Sequence, residues 1–324
     1  MNKIVGIQYR AKAYLRQKEI ARHGSAKDYA DGLKRYSDNV LLTAEEANRC
    51  LFKKIQEGKP FLAGRFGSTE LLNMRSYDFG DFVGKKYGKD FHFNHLCQWS
   101  GFFPQDISLL PQFVDTMKAA CSEVDFLAVW FQAFEDYYMK YNMPQLKDIS
   151  YLLDFEPWSC KDIHWSAALK GKKVLVIHPF ENTIRTQYER RKLLFPNTDI
   201  LPDFELKTLK AVQTLAGTKD LRFETWFDAL EWMYQEAMKI DFDIAIVGCG
   251  AYGLPLAAKI KKEGKQAIHL AGATQLLFGI KGKRWEENEA FTYVKKRFNE
   301  AWVYPGDEDK LTDGNKVEGG CYWK

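Results

Sequence analysis

Residues 243–269 read DIAIVGCGAYGLPLAAKIKKEGKQAIH, and their order decides the fold class. An apolar strand over residues 244–247 runs into Gly248-x-Gly250-x-x-Gly253. A helical run follows over residues 254–262, Gly264 stops it, and a second strand begins near Gln266. Strand, Gly-rich turn, helix and strand in succession form the unit that presents backbone N–H groups and a helix N-terminus to a phosphate. Gly248, Gly250, Gly253 and, beyond the second strand, Gly272 are the candidate cofactor-side positions. A dinucleotide enzyme places an Asp or Glu about 20 residues after the first glycine to hold the ribose hydroxyls. Here the second strand ends in His269-Leu270-Ala271-Gly272, without a carboxylate. The unit therefore suggests a nucleotide or phosphate site and argues against NAD. The competing reading is that the glycines serve only tight helix–strand packing.

The same alternation extends outward. Apolar runs at 61–64, 126–130 and 173–177 read as strands, and residues 107–121, 183–194 and 227–239 as helices. Thr43-Ala-Glu-Glu46 is a capping box that opens a helix to about Gln56. A short strand near Ile200, an edge strand over 221–225 and a helix over 288–302 complete the expected elements. Residues 23–40, 76–105 and 131–165 read as irregular. Strands alternating with helices through 61–280 predict an α/β, Rossmann-like fold: a mostly parallel sheet with helices on both faces. The expected organisation is a helical N-terminal extension over 1–58 and one α/β domain over 59–324.

Composition narrows the function classes. The 324 residues are 46% apolar and 28% charged, ordinary for a soluble globular protein, and the net charge of +4 is too mild for a nucleic-acid binder. Six cysteines are scattered without metal spacing and read as reduced, mostly buried thiols of a cytoplasmic protein. No run approaches the roughly 20 apolar residues of a membrane helix. Residues 3–22 carry Ile4, Ile7, Ala11, Tyr14 and Leu15 at helical spacing, with Lys and Arg between them. That helix either packs on the body of the protein or lies peripherally on an anionic membrane surface.

Ligands of open α/β sheets sit beyond the carboxyl ends of the strands, so three strand ends carry the candidate chemistry. At the first, Arg65 can reach a phosphate or carboxylate, Ser68 can cap a helix, and Glu70 sits in that helix's first turn, where the dipole favours a carboxylate. At the second, His178 precedes a segment with Thr183, Arg185, Gln187, Arg190 and Arg191. This arrangement suits an anionic substrate, with His178 as a base or as a hydrogen-bond donor to a phosphate. At the third, Thr274 and Gln275 offer neutral hydrogen-bonding groups for a base, ribose or sugar, with Lys281, Lys283 and Arg284 nearby to meet a diphosphate. The hydrolase elbow, the zinc-protease HExxH and the P-loop are all missing from the sequence.

Arg65-Phe66-Gly67-Ser68-Thr69-Glu70 resembles the R-F-G-D-G-E segment of the GT-D-fold bacterial glycosyltransferases, and the Gly248–Gly253 turn with Gln266-Ala267-Ile268 is similar to that family's second nucleotide-side segment. The tracts 178–191, 271–285 and 317–323 also look like segments of proteins from bacterial surface-polysaccharide clusters. The resemblance implies a transferase that moves a sugar from a nucleotide-diphosphate donor to a surface glycan or lipid-linked glycan. Arg65, Glu70 and the glycine turn would hold the donor, and Glu70 or His178 would act on the acceptor hydroxyl. In the family an Asp-x-Glu pair contacts Mn²⁺ or Mg²⁺. Here the Asp position is Ser68, so Glu70 is the one metal-ligand candidate left, with Asp81 and Glu318 as replacement acids. The other course is a metal-free site in which Arg and Lys meet the leaving diphosphate. Two rivals stand beside this reading: a non-catalytic nucleotide- or glycan-binding module, kept open by Ser68, and an NAD(P)-dependent oxidoreductase, suggested by the glycine spacing.

Overall fold

The structure, a computed structural model, describes residues 2–80, 91–218, 220–310 and 322. Helix α1 (Asn2–His23) and short α2 (Ala26–Asp31) come first. A hairpin of β1 (Arg35–Tyr36) and β2 (Asn39–Leu42) leads into α3 (Ala44–Glu57). The capping box forms there: Thr43 Oγ1 accepts from the Glu46 N–H, and the Glu46 carboxylate accepts from the Thr43 N–H at 3.0 Å. The chain continues through β3 (Phe61–Gly64), α4 (Ser68–Phe79), α5 (Phe91–Ser100), α6 (Leu110–Cys121), β4 (Phe126–Val129), α7 (Glu135–Asn142) and β5 (Asp148–Tyr151). Next come β6 (Lys173–His178), α8 (Glu181–Glu189), β7 (Glu205–Lys210), α9 (Trp226–Met238), β8 (Ile244–Val247), α10 (Gly253–Lys262) and β9 (Gln266–His269). Short helices α11 (Ala273–Leu277), α12 (Lys283–Glu287) and α13 (Thr292–Lys295) close the described chain.

The nine strands form one sheet in the order β1-β2-β5-β4-β3-β9-β8-β6-β7. Every ladder except the β1/β2 hairpin is parallel. Side chains alternate across a strand, so each apolar run divides between two cores. Leu62, Leu127, Val129, Ala245 and Val247 face a core covered by α6, α9 and α10. Phe61, Ala63, Phe126, Ala128, Ile244 and Ile246 face a second core covered by α3, α8 and α11. The α/β, Rossmann-like fold read from the sequence is the fold observed.

Several local expectations change. Residues 1–58 are not a purely helical extension: β2 pairs in parallel with β5 (Leu41↔Ile149), and α3 covers the sheet, so this segment completes one edge. The pairing is invisible locally because the partner strand lies more than a hundred residues away. The strand expected near Ile200 lies at Glu205–Lys210, an edge strand whose mixed polar sequence hides its period. Residues 221–225 form turns and bends, with Leu221 exposed. The helix expected over 288–302 is reduced to a 3-10 turn (Glu289–Phe291) running into α13, and beyond it Asn299 and Trp302 donate to the Leu194 carbonyl and hold the chain aside. Part of the segment 76–105 is helical, as α4 and α5, and residues 131–165 contain α7 and β5. No helix among the described residues is long and apolar enough to cross a membrane. The five described cysteines are free thiols, four of them buried.

Candidate functional site

Strands β3, β4 and β5 run outward in chain order on one side, while β9, β8 and β6 lie on the other, so β3 and β9 meet where the strand order reverses. Such a switch point leaves a crevice beyond the carboxyl ends. The crevice here is a cleft of about 560 Å³. Its floor and walls come from Arg65, Ser68, Thr69 and Glu70 after β3, Trp130 after β4, Tyr151 and Glu156 after β5, Gly250 and Ala251 after β8, and His269, Ala271 and Gly272 at the end of β9. Gln17, Ile20, Trp99, Arg284, Trp285, Phe291 and Tyr322 close the sides.

Arg65 lies over the Trp130 ring at 4.8 Å and donates from Nε to the Phe66 carbonyl at 3.1 Å. Burial lowers its pKa, and the neighbouring Arg284 lowers it further; Tyr322, Glu70 and Glu156 act in the opposite direction. Those residues therefore share one electrostatic environment. Arg284 donates to the Tyr322 hydroxyl at 3.2 Å and stacks over that ring at 4.8 Å. Glu70 is buried at the third position of α4, and its carboxylate folds back over Gly67, where an added Cβ would fall on it. That is a capping posture, stabilised by the helix dipole.

Glu156 is the residue the sequence reading missed. It is buried at the cleft wall, and its Oε2 accepts from Trp158 Nε1 at 2.9 Å and from the Tyr293 hydroxyl. Burial pushes its carboxyl up to about 7, against those two hydrogen bonds and the Arg65 charge. Both bonds fall on Oε2, so Oε1 is the atom available to a ligand. The signal was present in Phe155-Glu156-Pro157-Trp158, a carboxylate set among apolar residues.

The glycine fingerprint works differently from the phosphate cradle it suggests. A Cβ on Gly253 would land on the His269 ring, and one on Gly64 would come within 3.2 Å of His269 Cβ. These glycines make room for an imidazole. His269 Nδ1 lies 3.3 Å from the Val247 carbonyl, and burial, reinforced by Arg65, lowers its pKa to about 3, so the ring is neutral at the cleft floor. Gly248 is crowded by the Ala271 carbonyl, Thr274 Oγ1 and His178, and does not line the cleft. Gly250, at φ +59°, and Gly272 do line it. Ala271 holds φ 54°, a left-handed conformation that costs about 1–2 kcal/mol in a non-glycine residue, at the cleft floor.

The second group of expected site residues is not in this cleft. His178 is buried, its Nδ1 accepts from the Phe180 N–H at 3.0 Å, and burial lowers its pKa to about 3; a neutral, occupied imidazole here is a structural one. Thr183 donates from N and Oγ1 to Asp309 Oδ2, both at 2.7 Å, and so fixes the start of α8. Arg185 pairs with Glu181 at 2.7 Å and bonds Thr208, and Arg190 is exposed at the helix end. Gln187 donates to the Gly279 and Ala301 carbonyls, and Gln275 to those of Ile280 and Lys281. Thr274 is fully buried beneath Gly248, and Lys283 is exposed 4.0 Å from Glu287. Of the expected residues, Arg65, Ser68, Glu70, Arg284, Gly250 and Gly272 come together in the cleft.

Among the described residues no group of three or more His, Cys, Asp or Glu side chains could hold a metal ion. Beside Glu70 stand Ser68 and the cation Arg65, a donor set that does not fit Mn²⁺ or Mg²⁺. The replacement acids Asp81 and Glu318 lie outside the described residues, as does the tract 317–323 apart from Tyr322.

No family model matches the chain, and no curated protein matches it significantly. One solved structure, described as a selenomethionine-substituted domain of unknown function 1792, overlaps 85% of this chain and 94% of its own at 13% identity and a TM-score of 0.45. At that level the overlap fixes neither a family nor an activity.

Proposed function

We propose that the cleft binds a nucleoside diphosphate sugar and passes the sugar to a hydroxyl of a glycan acceptor. The observation that carries this is the pairing of a buried, high-pKa carboxylate, Glu156, with two cleft arginines, Arg65 and Arg284, between aromatic walls. Trp130, Tyr151, Trp285 and Tyr322 offer flat apolar faces of the kind that stack on a base or a sugar. The guanidiniums supply fixed positive charge where a diphosphate leaves. In the reaction the acceptor oxygen attacks the anomeric carbon and the bond to the diphosphate oxygen breaks with its electron pair. The acceptor proton passes to Glu156 Oε1. A carboxylate poised near neutrality is suited to that role. Glu70 holds the start of α4 and turns its charge toward Arg65. No step is routed through a metal.

A non-catalytic binding module is the second reading, favoured by Ser68 in place of a second carboxylate. Both are tested by thermal shift with UDP-, GDP-, CMP- and dTDP-sugars and NAD(P), followed by turnover of whichever sugar binds. A ligand at about 100 times its Kd stabilises by about 2.7 kcal/mol. The expected result is a shift with one nucleotide sugar, lost in Arg65→Ala, and turnover lost in Glu156→Gln with binding kept. A shift with NAD(P) alone, or with none of the sugars, overturns the reading; binding without turnover in the unaltered protein assigns the module.

A further inference from the structure

Helix α1 is apolar on two opposite faces. Val5, Tyr9, Ala13 and Ile20 turn inward, with Arg16 buried beside them and paired to Asp136 at 3.3 Å. Ile4, Ile7, Ala11, Tyr14 and Leu15 advance by three or four residues along the other side, as one stripe follows a 3.6-residue period. Four of these are large, and they stay 60–68% exposed. Inward packing explains the first face and leaves the second without a partner among the described residues. One-sided burial is the rule for a surface helix, so a second apolar stripe points to something outside the fold.

The charges on the helix identify the occupant. Lys18 and Arg22 continue the stripe on the same side, Lys12 flanks it, and Glu19 is the only acid in the helix. Lys18 lies over the exposed Tyr14 ring at 4.6 Å, with its ammonium group beside the apolar stripe, and Lys12 lies over the inward Tyr9 ring at 4.5 Å at the edge of the helix. Apolar side chains at acyl depth with cations at headgroup height are what an anionic bilayer accommodates. A second copy fits less well. The stripe is one side chain wide over about 16 Å of helix, narrow beside the about 800 Å² per partner of a stable dimer. The geometry points to α1 as a docking edge for an anionic lipid surface. The same helix contributes Gln17 and Ile20 to the cleft, Ile20 from the inward face opposite the stripe. The inference does not depend on the chemistry inside the cleft.

The test is co-flotation of the full chain with phosphatidylcholine vesicles, with and without phosphatidylglycerol, at low and high salt and without any nucleotide. Binding is expected only to the anionic vesicles and should weaken as salt screens the cations. Ile7→Glu/Leu15→Glu should weaken it by about tenfold or more per side chain, with an unchanged melting temperature because both positions are exposed. Lys12→Glu/Lys18→Glu should abolish the preference for anionic vesicles. Absence of binding to anionic vesicles, or undiminished binding by the Ile7/Leu15 variant, overturns the proposal. A dimer in light scattering that the same variant dissociates also overturns it, and assigns the stripe to self-association.

Discussion

Glu156→Gln separates what this carboxylate costs the fold from what it does in the cleft. Its carboxyl stands at about 7 against an ordinary 4.5, chiefly through burial. A folded-state value above the unfolded one means the related stability is fully present below about pH 4.5 and is lost as pH rises through about 7. At about 1.4 kcal/mol per pH unit, ionised Glu156 costs the folded protein roughly 3 kcal/mol above pH 7. Glutamine stays neutral, and its amide oxygen can still accept from Trp158 and Tyr293. With an unfolding entropy of about 2.1 cal/mol/K per residue over 324 residues, roughly 3 kcal/mol corresponds to about 4–5 °C. The variant should therefore melt about 4–5 °C above the unaltered protein near pH 8.5, and the two should converge below about pH 5. Scanning calorimetry across that range is the assay. Glu135 also weakens the fold as pH rises, since burial holds it at about 8, but it is present in both proteins and cancels in the comparison. A variant no more stable at high pH, or a difference independent of pH, refutes the reasoning that Glu156 is a desolvated carboxylate kept at a cost in stability.

Gly253→Ala should cost about 1–3 kcal/mol in chemical denaturation, because the new methyl meets the His269 ring; adding His269→Ala should recover part of that loss, and strictly additive effects would show that the two positions do not touch. Asp309→Ala removes the carboxylate oxygen that accepts both Thr183 bonds at the start of α8 and should lower stability by about 1–2 kcal/mol. An unchanged midpoint would show that the helix start is held by something other than Asp309.

The sequence made the fold legible where the signal is local. Val174, Ile177, Ile244 and Val247 belong to short, fully apolar runs bounded by turn residues, and such runs become interior parallel strands. Thr43 and Glu46 were legible for the same reason, since a cap needs only four residues. The candidate site was legible in part. Arg65 and Glu70 stand at a strand end and reach the cleft, and so does Arg284. His178 stands at a strand end too, but its ring turns back onto the Phe180 N–H. Strand-end position thus selects candidates without fixing side-chain direction. Glu156 was legible only as a carboxylate among apolar neighbours, because Tyr293 and Arg65 come from distant segments and burial is a property of the assembled chain. The glycine fingerprint left a phosphate site and tight packing both open for a physical reason: glycine vacates space, and the sequence does not say whether a phosphate or an imidazole fills it.

The sheet has a seam. Strands β3 and β9 join its two arms through only three residue pairs, Phe61↔Gln266, Leu62↔Ala267 and Ala63↔Ile268. Gln266 ties the same seam to the Lys59 carbonyl, 207 residues earlier in the chain. Contacts so far apart in sequence are among the slowest to form. The cleft lies across that seam, with Arg65 on one bank and His269 on the other. A chain that has folded either arm alone lacks one bank of the cleft, so ligand recognition reports that this long-range closure is complete.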